Sequence, residues 1–281
     1  MQELVYEERD RTAFLTLNRP QVRNCLSMKL SDELIGAIER IRASETLRFL
    51  VIRGAGETFC AGDDIMEMPW GNANEVMRRV RSYQNMANQL EELDKITIAA
   101  VDGYCVGGGL EITMACDFVI ATERAIWGMP EVDLGITPGW GGTTRMARLI
   151  GRRVTKEINF LGALHPAQHA VDLTLWNRAV PNDQLDTEVE RLLEVLQSKH
   201  QQGLRQLKFI INKGVECDLS TAQGFEALSG ALTSAVNGVW EIDDADKGAG
   251  IQGFQQKNEL WQTRRRLAMN FWVNWPSKTE N

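Results

Sequence analysis

Twice in this chain a short apolar run passes straight into a glycine-bearing loop: "VIRGAGETFCAGDDI" at residues 51–65 and "AAVDGYCVGGGLE" at 99–111. An apolar run that short, lacking polar alternation, reads as a strand buried on both faces, and glycine turns end it. Between such strands lie amphipathic helical patterns. "SMKLSDELIGAIERIRAS" sets Leu30, Leu34, Ile38 and Ile41 on one stripe behind a Ser27 cap, and "NEVMRRVRSYQNMANQLEEL" repeats the pattern. Strand and helix alternating in this way specify an α/β domain with parallel pairing. Ahead of it, "LVYEERDRTAFLTLNRP" reads as two short strands.

Beyond about residue 150 the patterns are helical and separated by Gly, Pro or Asp. The chain of 281 residues can hold one large core with an appendage. The expected division is a core over residues 1–195 and a helical region over 196–281. Its final stretch places Trp261, Phe271, Trp272 and Trp275 on a helix and tail, which packing on a neighbouring subunit or self-packing would cover.

Net charge of −7 opposes a general nucleic-acid partner. No apolar run approaches the roughly 18 residues of a membrane span, and no targeting segment opens the chain. Five scattered cysteines without a C-x-x-C fit reduced thiols and a cytoplasmic setting. His165 and His169 have helical spacing but no H-E-x-x-H around them, so no metal is expected.

Chemistry concentrates around Gly107, Gly108 and Gly109. Their amides open a helix, where backbone without Cβ atoms can approach a ligand and favour negative charge. Glu111 follows amid Leu110, Ile112, Met114 and Ala115. It either complements the helix dipole or is a buried acid kept for proton transfer. Glu131, between "WGMP" and "VDLGITPGWGG", is a solvated loop acid or its partner.

The segments "LNRPQVRNCLS", "FCAGDDIMEM", "AAVDGYCVGGGLEITMACD" and "WGMPEVDLGITPGWGGTTRMARLIG", in this order, resemble the crotonase superfamily, most closely enoyl-CoA hydratases. The resemblance runs from about residue 4 to about 260, including "GIQGFQQK". It implies a spiral of repeated ββα units followed by a helical region that builds trimers, paired into hexamers. It implies an oxyanion hole from the amides of Asp63 and Gly108. Glu111 and Glu131 match the glutamates that hold a water, Glu131 with the larger proton-transfer role, and Gly139 matches an amide that helps hold it. Keeping both acids favours hydration of a 2-enoyl-CoA over isomerisation, cleavage or a non-catalytic binding role.

By the same resemblance Arg23, Asn24, Leu26, Ala61, Asp63, Asp64 and Ile65 line the coenzyme A path, with Phe254 and Lys257 at its nucleotide end. Coenzyme A enters as part of the substrate, and no separate cofactor is implied. Asp63 stands where a small apolar residue is frequent, and Met66 where a lysine is common. Trp127 and Trp140, with Trp70, shape a pocket for a cyclic or branched acyl group, or else fill the core.

Overall fold

The structure, a computed structural model, describes residues 2–236, 256–257 and 259–273. By internal contacts the chain divides into Met1–Val189 and Glu190–Asn281. The boundary falls inside the helix Leu185–Gln197.

The first unit opens with a hairpin of β1 (Leu4–Arg9) and β2 (Thr12–Leu17). Asp10 and Arg11 turn it with φ of 47° and 62°, the doubly positive geometry that suits a right-twisted two-residue hairpin. Helix α1 (Met28–Ala43) follows, its first turn closed by the Ser27 hydroxyl accepting from the Leu30 amide at 2.9 Å. Leu30, Leu34, Ile38 and Ile41 are its buried stripe, as their spacing requires.

The chain then repeats one unit. β3 (Phe49–Gly54) and β4 (Thr58–Cys60) lead to α2 (Ala73–Glu91). β5 (Ile96–Val101) and β6 (Tyr104–Val106) lead to α3 (Gly108–Met114). β7 (Phe118–Thr122) and β8 (Ile126–Gly128) lead to the 3-10 turn Pro130–Leu134. The first strand of each pair enters one sheet and the second enters another.

With β9 (Leu164–Pro166) and β10 (Arg178–Val180), the sheet orders are β1-β2-β3-β5-β7-β10 and β4-β6-β8-β9. From β2 to β10 the larger sheet is parallel, and every residue of β5 is buried, which explains its unbroken apolar run. This is the expected α/β spiral of ββα units.

The second unit holds the helices Gln201–Gly214, Leu219–Val236 and Glu259–Val273. Phe209 and Phe225 meet edge to face at 5.6 Å between the first two. Phe254 and Trp275 lie outside the described residues. Among the described residues no helix is long and apolar enough to cross a membrane.

Candidate active site

Three strands of the smaller sheet run parallel, β4 beside β6 beside β8. Their carboxyl ends therefore emerge together, the edge where open α/β sheets place ligands. β4 delivers Ala61, Gly62 and Asp63; β6 delivers the triple glycine and α3; β8 delivers Met129, Pro130 and Glu131. The Gly107 amide donates to the Gly128 carbonyl at 3.0 Å, tying the second loop to the third. A Cβ placed on Gly62 would stand 3.2 Å from the Gly108 nitrogen, so the first two loops touch backbone to backbone.

Asp63 forms a parallel bridge with Leu26. The bridge uses its neighbours: the Leu26 amide donates to the Gly62 carbonyl at 2.9 Å, and the Asp64 amide donates to Leu26 at 3.1 Å. Alternation along extended backbone then aims the Asp63 N–H away from Leu26. Gly108 is the first residue of α3, where an amide has no intrahelical acceptor. Neither N–H is spent on those contacts, and both residues line one cavity.

That cavity has a volume of about 390 Å³. Glu111, Glu131, Gly139 and Trp140 line it with Asp63 and Gly108, and Val76, Val80, Leu134 and Ile136 add apolar wall. Glu111 is buried, and its Oε1 accepts the main-chain amides of Trp140 at 2.7 Å and Gly142 at 2.6 Å. Burial pushes its carboxyl up to about 7 against those two bonds, and the charges of Glu131 and Asp63 add to the rise. Glu131 is half-buried beside the triple glycine, its Oε1 2.9 Å from where a Cβ on Gly107 would stand. Its Oε2 is buried without a partner. Burial raises it also to about 7, opposed by its own amide and helped by Asp63.

The amides that hold Glu111 belong to Trp140 and Gly142. Gly139 lines the cavity, and its carbonyl accepts from Gln84 at 2.7 Å. The only sequence signal for the anchoring pair is the glycine density of "PGWGG". Tyr83 and Arg79 also escaped the reading of the sequence. The Tyr83 ring lies 4.2 Å from Trp140, and its hydroxyl accepts from Arg79 Nε at 2.7 Å. Their spacing of four on α2 was the available clue.

The two tryptophans part company. Trp140 lines the cavity. Trp127 does not: it is fully buried, its Nε1 donates to the Pro166 carbonyl at 3.1 Å, and its ring packs on His165, His169 and Trp176. Strand β8 turns that side chain into the core, so the pocket expectation for Trp127 is corrected. Trp70 does line the cavity, its Nε1 donating to the Ile65 carbonyl at 2.9 Å.

The expected coenzyme A residues are of three kinds. Ala61, Asp63 and Ile65 line the cavity. Arg23 is exposed, its guanidinium 4.8 Å over the Tyr104 ring, and Asp64 pairs with Arg19 at 3.0 Å. Asn24 and Leu26 are fully buried, so that loop offers a ligand its backbone and not these two side chains. Asn24 Oδ1 accepts from the Arg19 amide at 2.9 Å, and Nδ2 donates to the carbonyls of Ala55 and Thr58 at 3.0 and 2.6 Å. Lys257 is exposed in the second unit, and Phe254 lies outside the described residues. Among the described residues no group of three or more His, Cys, Asp or Glu side chains could hold a metal ion.

The arrangement offers two backbone donors for a developing oxyanion and two acids of raised proton affinity across one apolar cavity. The family model described as enoyl-CoA hydratase/isomerase matches residues 7–262. The short-chain-enoyl-CoA hydratase of Clostridium acetobutylicum is 37% identical over 81% of this chain and 87% of that protein. The crotonyl-CoA hydratase of Syntrophomonas wolfei is 32% identical over 92% of this chain and 96% of its own length. A solved enoyl-CoA hydratase from Bacillus anthracis matches with a TM-score of 0.82 at 33% identity, covering 92% of this chain and 97% of that one.

Proposed function

This chain belongs to the enoyl-CoA hydratase/isomerase family, and from that membership we propose that it adds water reversibly across the 2,3 double bond of an acyl-CoA thioester. One observation carries the reading: Glu111 and Glu131 line the same cavity as Asp63 and as Gly108, the first residue of α3. Isomerisation needs a single base to move a proton between carbons, whereas water addition uses two acids on one water.

In the proposed reaction the thioester oxygen sits between the Asp63 and Gly108 amides. Water oxygen bonds to C3, the double-bond pair moves through C2 towards the thioester oxygen, and the two N–H groups stabilise that charge. One such preorganised donor contributes about 3 kcal/mol. A carboxylate takes a proton from the water and a carboxylic acid returns one to C2, so no net charge is left behind. Glu111, clamped by the amides of Trp140 and Gly142, orients the water. Glu131, without an acceptor-fixing bond on Oε2, does the larger share of proton exchange. The Gly139 amide helps to hold the water. Two acids whose proton affinities are both lifted to about 7 suit this exchange at neutral pH.

The apolar walls take the acyl group, and Trp140 and Trp70 shape the space for a branched or cyclic one. Arg23 holds a coenzyme A phosphate along the rim and the loop at Asn24 and Leu26 lends backbone, while by family likeness Phe254 and Lys257 serve the nucleotide end. The reading includes assembly into trimers, paired as hexamers, in the cytoplasm. Exposed Leu207, Ile211, Leu228 and Leu232 in the second unit support association, and five cysteines outside any disulfide support a reducing setting. The test is incubation with crotonyl-CoA. Hydration bleaches the conjugated thioester absorbance and adds the mass of one water. Unchanged mass with a shifted double bond, or no turnover across linear, branched and cyclic enoyl-CoAs, rejects the proposal.

A further inference from the structure

The oxyanion hole uses only the backbone of Asp63, which leaves its side chain without a task in hydration. Asp63 lines the acyl cavity with Ile65, Val76, Val80 and Val106. Its Oδ1 is buried and has no hydrogen-bond partner. An unmet acceptor in an apolar wall is a standing cost to the fold, and such groups are kept where a ligand completes them.

The carboxyl is also braced. Tyr83 and, one turn earlier, the Arg79 guanidinium act on it from α2, both favouring its charged form against burial. Arg79 is itself fixed through Nε on Tyr83 at 2.7 Å and Nη1 on the Glu67 carbonyl at 2.8 Å, while its Nη2 is buried without a partner. The Tyr83 ring is wedged on Trp140. An acid held from the side, with one oxygen unmet, is built for recognition and not for swinging between reactants.

We infer that Asp63 is a specificity-determining residue whose carboxyl receives a hydroxyl carried by the acyl group, on the first carbons beyond the double bond. Covalent geometry sets that position, because the carboxyl is one methylene from the Cα whose amide holds the thioester oxygen. Charge sets the chemistry of the donor. Glu111, Glu131 and Asp63 together disfavour an anionic substituent, and Arg79 disfavours a cationic one, which leaves a neutral donor. A site built around a substrate hydroxyl discriminates strongly against the analogue that lacks it, since the buried partner is then left unpaired.

The inference rests on the hydratase reading, so its test carries a second arm that needs no turnover. Hydration of 4-hydroxycrotonyl-CoA and crotonyl-CoA is compared for the parent, Asp63→Asn and Asp63→Ala. In parallel, calorimetry compares binding of 4-hydroxybutyryl-CoA and butyryl-CoA. The parent is expected to prefer the hydroxylated ligand by ~10-fold or more in both arms. Asp63→Ala loses the preference and gains on the plain substrate, whereas Asp63→Asn, which keeps an acceptor, retains much of it. Equal treatment of the two ligands by the parent overturns the inference, as does a ratio unmoved in Asp63→Ala. Asp63→Ser serves if the alanine variant does not fold. Absence of hydration with a persisting binding preference would reject the hydratase reading alone.

Discussion

The indole of Trp140 lies against the bare Cα of Gly108: a Cβ there would stand 2.7 Å from Cη2 of the ring. Gly108→Ala must therefore push the ring, and the ring is backed by Tyr83 at 4.2 Å. The strain falls on the first residue of α3, whose amide is one of the two proposed oxyanion donors. The expected outcome is a loss of ~10²–10³ in kcat with a smaller change in KM. Steady-state kinetics on crotonyl-CoA check it, with circular dichroism confirming that the fold survives.

Burial pushes Glu111 and Glu131 each up to about 7, and the proposed reaction needs one carboxylate and one carboxylic acid. The productive form is the pair holding a single proton, which is depleted on either side of neutrality. A bell-shaped profile of kcat/KM against pH, centred near 7, is expected. Glu131→Gln should lower kcat by ~10²–10⁴ and remove one limb. A profile flat from pH 5 to about 9 would contradict this assignment.

The same buried acid has a thermodynamic signature. The proton affinity of Glu111 is raised by folding, from its ordinary 4.5 to about 7. The protonated form fits the fold, so its contribution is whole below 4.5 and is lost as pH rises through 7. The loss at pH 8 is on the order of 3 kcal/mol. Glu111→Gln, neutral at every pH and still able to accept both amides, should be the more stable protein at pH 8. The two should converge towards pH 4.5. Urea denaturation across that range measures it.

Asn24 and Arg23 are adjacent yet should respond oppositely. Asn24→Ala strands two partly buried carbonyls and one amide, and it forces alanine to a φ of 55°. About 3 kcal/mol of stability should go. Arg23→Ala should leave stability within about 0.5 kcal/mol while raising KM for acyl-CoA. Denaturation and kinetics on the two variants separate scaffold from ligand contact.

Trp127→Phe should cost about 2 kcal/mol through the lost bond to Pro166 and the vacated volume. Its relative rates on linear and branched enoyl-CoAs should stay as in the parent. Trp140→Phe should alter those relative rates, because its ring is cavity wall. A panel of acyl chains read by absorbance decides between the two roles.

Much of this architecture was legible in the chain because the signals are local. The Ser27 cap, the stripe from Leu30 to Ile41 and the uniformly apolar β5 each declare themselves within a few residues. The triple glycine also announced an approachable backbone. What escaped depends on contacts between distant segments. Glu111 is clamped by amides 29 and 31 residues away, and an amide has no residue-type signature. Trp127 and Trp140 look alike in sequence, yet one belongs to a three-residue strand buried among rings and the other to an irregular loop. Periodicity cannot tell which way a strand that short points a side chain. The influence of Arg79 and Tyr83 on Asp63 reaches from a helix to a loop and was equally silent.

Leu26 is stitched by its amide and its carbonyl to both neighbours of Asp63. A tug anywhere on the Arg23–Leu26 segment is consequently transmitted along one seam of backbone to the direction in which the Asp63 N–H points. Selection is free to redraw the side-chain walls at the far end of the hollow. The front edge has no such latitude: an insertion or deletion there would slip the seam and mis-aim the donor, however well the walls still fitted.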